Sequence, residues 1–146
     1  MSRVRPEVPP RIVARLRALC LALPEATEEP AWVGTRWTIR ARNFAHVVAI
    51  DRGWPPAYAR AAGTDGPIVV LTFRAADALV DVLRTTGPPY FVPAWGTRWG
   101  AKVIGMTLGT RIAWREVETL VGESYRLLAP KSLVAALPRA RRNSQS

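Results

Sequence analysis

The sequence predicts an α+β domain, an antiparallel sheet carrying its first and last long helices on one face. Three observations point there. Apolar residues recur at helical spacing near both ends of the chain. The segments between them alternate in polarity or run β-branched, as strands do. Their connections are short and hairpin-like, which suits antiparallel pairing.

The elements follow in order. After a proline-rich lead, RIVARLRALCLAL places Ile12, Leu16, Leu19, Cys20 and Leu23 on one helical face, and Pro24 stops the helix. PEATEEP reads as a polar turn, with AWV starting a short strand. RWTIR alternates, with Trp37 and Ile39 on one side and Arg36, Thr38 and Arg40 on the other. A turn at ARN leads to FAHVVAI, a strand apolar on both sides. Residues 51–67, rich in glycine and proline, read as a long loop. IVVLTF is a β-branched strand, and ADALVDVL a short helix with Leu79, Val82 and Leu83 inward. TTGPPYFVPAWGTRWG is irregular and aromatic. KVIGMTL is a strand with Ile104, Met106 and Leu108 on one face. Trp114, Val117, Val121, Ser124 and Leu128 form the seam of a last long helix ended by Pro130, and KSLVAAL adds a turn of helix.

A chain of 146 residues, 49% hydrophobic, forms one compact domain. That domain is expected over residues 1–137, with a disordered basic tail at 138–146. The longest apolar run, Ala18 to Leu23, is six residues, against roughly 20 for a membrane span. No secretion signal is legible, because Arg15 and Arg17 interrupt the apolar stretch. The expected location is therefore cytoplasmic, and a monomer is the expected state. The one cysteine, Cys20, packs as a small hydrophobe.

Net charge is +10, and nineteen of the twenty-one basic residues are arginine. Such an excess favours acidic partners, nucleic acid phosphates above all. An alanine- and proline-rich composition that uses arginine in place of surface lysine accounts for it equally well. Both ends of the chain are basic, whereas Glu25, Glu28 and Glu29 form an acidic patch.

VGESYRLLAP raises the question of an enzyme, since it sets a serine beside a tyrosine. Ser124 lies on the inner seam, where its hydroxyl is expected to bond the Leu120 carbonyl four residues back. A nucleophilic role requires convergence with the sole histidine, His46, and no GxSxG elbow surrounds Ser124. Tyr125 is expected to anchor the helix through its hydroxyl. His46 is expected to be a hydrogen-bonded core residue. No catalytic residue, cofactor or metal site is assigned, because one histidine and one cysteine do not make a zinc site.

WREVETLVGESYRLLAPKSL, with LPEATEEPAW, RNFAHV, VLTFR and PAWG in order, resembles the MmcQ/YjbR family of small bacterial proteins. The resemblance runs from about residue 12 to Leu133. It implies a CyaY-like fold in a double-wing arrangement and a non-enzymatic protein of predicted DNA-binding function. Iron carriage, known for frataxin-type proteins of that fold, needs an acidic first helix; here that helix carries three arginines and no acid between Val8 and Leu23. Where related sequences have an acid before the tryptophan of the last helix, this chain has Ala113, which leaves capping to Thr110.

For DNA, the candidate contacts are Arg36 and Arg40 on one strand face, Arg42 at the hairpin tip, Arg98 and Lys102 flanking Trp99, and the tail residues Arg139, Arg141 and Arg142. The alternative is a small-molecule or protein-binding module using the tryptophan loops, with Trp32, Trp37, Trp95 and Trp99 as candidate lining.

Overall fold

A computed structural model describes residues 5–97 and 102–137. Arg98, Trp99 and the tail arginines Arg139, Arg141 and Arg142 lie outside the described residues. The elements run α1 (Pro10–Leu21), β1 (Thr27–Pro30), β2 (Thr35–Ile39), β3 (Arg42–Ile50), α2 (Pro56–Ala62), β4 (Ile68–Ala75), α3 (Asp77–Thr86), β5 (Tyr90–Phe91), a 3-10 turn (Ala94–Thr97), β6 (Lys102–Leu108), α4 (Trp114–Leu128) and α5 (Lys131–Ala135). The strands form one six-stranded sheet in the order β1-β2-β3-β4-β6-β5, every neighbouring pair antiparallel. The fold is α+β.

Strand alternation gives the sheet two unlike faces. Trp37, Ile39, Val47, Leu71, Phe73, Ile104 and Met106 meet Ile12, Leu16 and Cys20 of α1, Val80 and Leu83 of α3, and Val117, Val121 and Tyr125 of α4. On the other face a smaller cluster of Val33, Val48, Ile50 and Val70 packs under Ala59 of α2. Gly105 allows the Phe91 ring to lie on that second face, because any side chain at 105 would occupy the ring's position.

Several expectations are corrected. The first strand is TEEP rather than AWV: Glu29 lies opposite Arg36 in the ladder, so its charge is compensated across the strands. The 51–67 segment contains α2, and the aromatic stretch contains β5. In α3 Val80 and Leu83 are buried and Leu79 packs half-buried against the core, as expected of Leu79 and Leu83, while Val82 is 59% exposed. The turn between β2 and β3 is Arg40–Ala41, both at positive φ (50° and 66°), so Arg40 leaves the strand face on which Arg36 sits and Arg42 opens β3. These angles suit a two-residue hairpin twist but strain residues that carry a Cβ.

Ser124 is also corrected. Phe44 is the extra residue of a bulge in β3, where Trp37 pairs with Ala45 but Thr38 pairs with Asn43. The β3–β4 ladder ends at Ala45 and Phe73. At the next step the Ser124 hydroxyl donates to the Phe44 carbonyl (2.6 Å) and accepts from the Arg74 amide (2.8 Å), bridging the strands where their own bonding stops. The expected bond to Leu120 is replaced because this buried strand end offers both partners. Tyr125 donates to the Pro24 carbonyl (2.7 Å) and meets Phe44 edge to face, with centroids 5.5 Å apart. Both side chains are fully buried. Ala113 caps α4 with no side-chain hydrogen bond, so Thr110 does not serve as its cap.

Candidate functional site

Two hairpin cations, Arg36 and Arg40, are engaged by the acidic patch. Arg36 meets Glu29 at 2.6 Å, Arg40 meets Glu25 at 2.9 Å, and Arg17 of α1 grips Glu28 through two bonds of 2.9 and 3.0 Å. Glu28 also accepts from the Trp37 indole (2.9 Å). The Arg17 hydrogen bond holds the Glu28 carboxyl below its ordinary pKa despite some desolvation. Lys102 lies 3.2 Å from Asp77. These exposed pairs are individually weak, yet each lowers the positive potential its cation offers. Arg42 shows no ion pair among the described residues.

The helical layer presents the opposite arrangement. Arg11 and Arg15, four residues apart on α1, line a groove of about 300 Å³ with Ile12, Thr110, Ile112 and Trp114. The Arg15 guanidinium lies 5.1 Å from the Trp114 ring centroid, a cation–π contact. Arg111 and Arg115 flank Trp114 in the chain and are exposed. Arg11, Arg111 and Arg115 show no ion pair among the described residues. Two guanidinium groups thus line one aromatic groove at the start of α4, and two more, Arg111 and Arg115, stand exposed on the chain segment that carries Trp114. The sequence signal was available, since RIVAR gives an arginine pair at i and i+4, but its meeting with RIAWR is tertiary.

The second face of the sheet carries a smaller cleft, about 110 Å³, between α2 and the 3-10 turn. Asn43 and His46 from β3, Thr72 and Arg74 from β4, Tyr58 from α2 and Trp95 line it. His46 Nε2 lies 2.7 Å from the Val33 carbonyl and Nδ1 lies 3.2 Å from the Tyr58 hydroxyl. A carbonyl only accepts, so Nε2 carries the proton and Tyr58 donates to Nδ1. Burial pushes the His46 pKa down and the Tyr58 pKa up, so both remain neutral near pH 7. Arg74 is pushed down by burial first and by the Arg42 charge second. The Tyr58 and Trp95 rings stand edge to face, with centroids 5.3 Å apart and Trp95 42% exposed.

The tryptophans divide accordingly. Trp95 borders this cleft. Trp32 is 70% exposed and meets Trp54 at 5.7 Å and the Arg5 guanidinium at 5.6 Å. Trp37 is fully buried on the helical face, which corrects its assignment as a ligand contact: bulk and inward register make it the largest fully buried side chain. Ser124 bonds Phe44 and Arg74, whereas His46 bonds Val33 and Tyr58. Among the described residues, no three histidine, cysteine or acidic side chains gather closely enough to hold a metal, and no helix is long and apolar enough to cross a membrane.

Fold and surfaces together define a small, basic, antiparallel α+β protein with a closed helical core. The YjbR family model matches residues 21–127, and the chain belongs to the YjbR family. Comparison with curated proteins gives no match.

Proposed function

We propose that this YjbR-family protein is a non-enzymatic DNA-binding protein that engages the phosphate backbone through Arg11, Arg15, Arg111 and Arg115 around the Trp114 groove. The observation that carries the reading is the division of the arginines. Arg36 and Arg40 of the β2–β3 hairpin face carboxylates, while Arg11, Arg111 and Arg115, like Arg42, show no ion pair among the described residues. Guanidinium groups suit bidentate phosphate contact, and phosphate contacts confer affinity without sequence preference. A non-enzymatic role fits the engagement of Ser124 and His46 in scaffold hydrogen bonds.

Duplex affinity measured against salt tests the reading. Four contacts give a log–log slope of about −3 to −4, at about 0.9 per phosphate. Arg11→Gln with Arg115→Gln reduces that slope by about two units. Arg36→Gln with Arg40→Gln makes the same change in net charge and has a smaller effect. A larger loss from the hairpin pair would overturn the assignment, and no duplex binding at low salt would overturn the function.

A further inference from the structure

We propose that the groove beside Trp114 holds a single unpaired nucleobase, so that the protein grips single-stranded DNA by a base as well as by its phosphates; the inference rests on the assignment of the phosphate contacts to this groove. The lining is mixed in a way that phosphate binding does not require. Arg11, Arg15 and Thr110 are polar, but Ile12, Ile112 and Trp114 make the rest of it apolar, and no acidic side chain lines it. Trp114 opens α4 and is only half-buried, as is Ile112. A phosphate gains nothing from contact with a ring or a branched aliphatic chain. A base does, because every base has a flat face that stacks on aromatic side chains.

Intact duplex does not use that surface. Paired bases stack on one another and show only their edges in the grooves, so a base face reaches a side chain only when the base is unpaired or turned out of the stack. The groove, about 300 Å³, equals roughly ten liquid waters in volume, which leaves room for one base. Its two cations have different tasks. Arg15 is already engaged, its guanidinium 5.1 Å from the Trp114 ring centroid, so it joins the ring as stacking surface, since guanidinium planes carry bases as aromatic rings do. Arg11, one turn away on α1 and without an ion pair among the described residues, is left for the phosphate of the same nucleotide. Thr110 supplies a hydroxyl that donates or accepts at the base edge.

A thymidine strand of about twelve nucleotides, within the site sizes of single-strand binders, and an abasic strand of the same length carry the same phosphates and differ only in their bases. The thymidine strand is expected to bind roughly tenfold more tightly at any one salt concentration, with the same salt slope, as one stacked base provides. It should also shift the Trp114 indole N–H signal in NMR spectra more than the abasic strand does. Trp114→Leu keeps apolar bulk at the start of α4, so it should remove the preference for thymidine and leave abasic affinity unchanged, which shows at the same time that the fold is intact. Trp114→Phe, which keeps an aromatic face, should retain part of the preference. Arg11→Gln should weaken both strands alike. Equal affinity for the two strands, or a thymidine preference undiminished in Trp114→Leu, would overturn this inference while duplex binding through the arginines stands. No binding of duplex or of either strand at low salt would overturn both.

Discussion

Replacing Ser124 by alanine tests the scaffold reading of the serine most directly. The hydroxyl links two main-chain groups at a strand end, Phe44 C=O at 2.6 Å and Arg74 N–H at 2.8 Å, and Ser124 is fully buried. The bulge prevents the strands from bonding each other at this step, so alanine leaves a donor and an acceptor unpaired together. Two net hydrogen bonds of about 1 kcal/mol each, plus a share of the roughly 1–3 kcal/mol cost of an unsatisfied buried group, give a loss of about 2–4 kcal/mol. Urea denaturation measures this as a lower midpoint at unchanged m-value. Native-state hydrogen exchange localises it, because the Arg74 amide should lose its protection first. A loss below about 1 kcal/mol with Arg74 protection intact would show that the strand end closes without the hydroxyl.

Three further outcomes follow from the same geometry. Tyr125→Phe removes only the bond to Pro24 and retains the ring against Phe44, so urea denaturation should show a loss of about 1 kcal/mol, whereas Tyr125→Ala should cost about 3–5 kcal/mol. Burial, aided by the Arg36 charge, holds His46 below its ordinary pKa of about 6.5. The unfolded chain therefore binds the proton more readily, and stability should fall as pH drops below about 6.5 toward the folded-state value, a slope that His46→Gln flattens in denaturation measured across pH. Burial and the neighbouring Glu28 charge push the Cys20 thiol pKa up, so a thiol reagent at pH 8 should label Cys20 only at the rate of unfolding; rapid labelling of the native protein would contradict its burial.

Elements with their own periodicity were legible in the sequence. α1 and α4 bury the seams that their 3.6-residue spacing marks, and RWTIR and KVIGMTL bury the alternate residues that strand geometry requires. Where pairing partners decide, sequence reading failed. TEEP has no apolar face, and it is a strand because Arg36 stands opposite Glu29 and Arg40 reaches Glu25. Helical spacing alone points the Ser124 hydroxyl to a carbonyl four residues back, whereas its partners lie 80 and 50 residues away in sequence. The candidate sites follow the same division. That Trp95 borders a cleft and Trp37 does not depends on which face each occupies, and Asn43 enters that cleft only because the bulge at Phe44 resets the alternation of β3.

Charge gives the clearest case of tertiary structure redirecting a composition argument. A basic hairpin looks like a phosphate contact when arginines are counted along the chain, but a cation facing a carboxylate contributes little potential at a distance. Among the described residues, six ion pairs join six cations to six carboxylates. Each pair is neutral as a unit, so the whole +10 excess resides on the residues that remain. Among these, Arg11 stands at the second position of α1, where a cation opposes the helix dipole and no acid occupies the first turn. Arg15, one turn on, adds a like charge at i,i+4, which disfavours an isolated helix by a few tenths of a kcal/mol. The same placement that slightly weakens α1 leaves uncompensated positive potential beside Trp114, and an approaching phosphate relieves both costs at once.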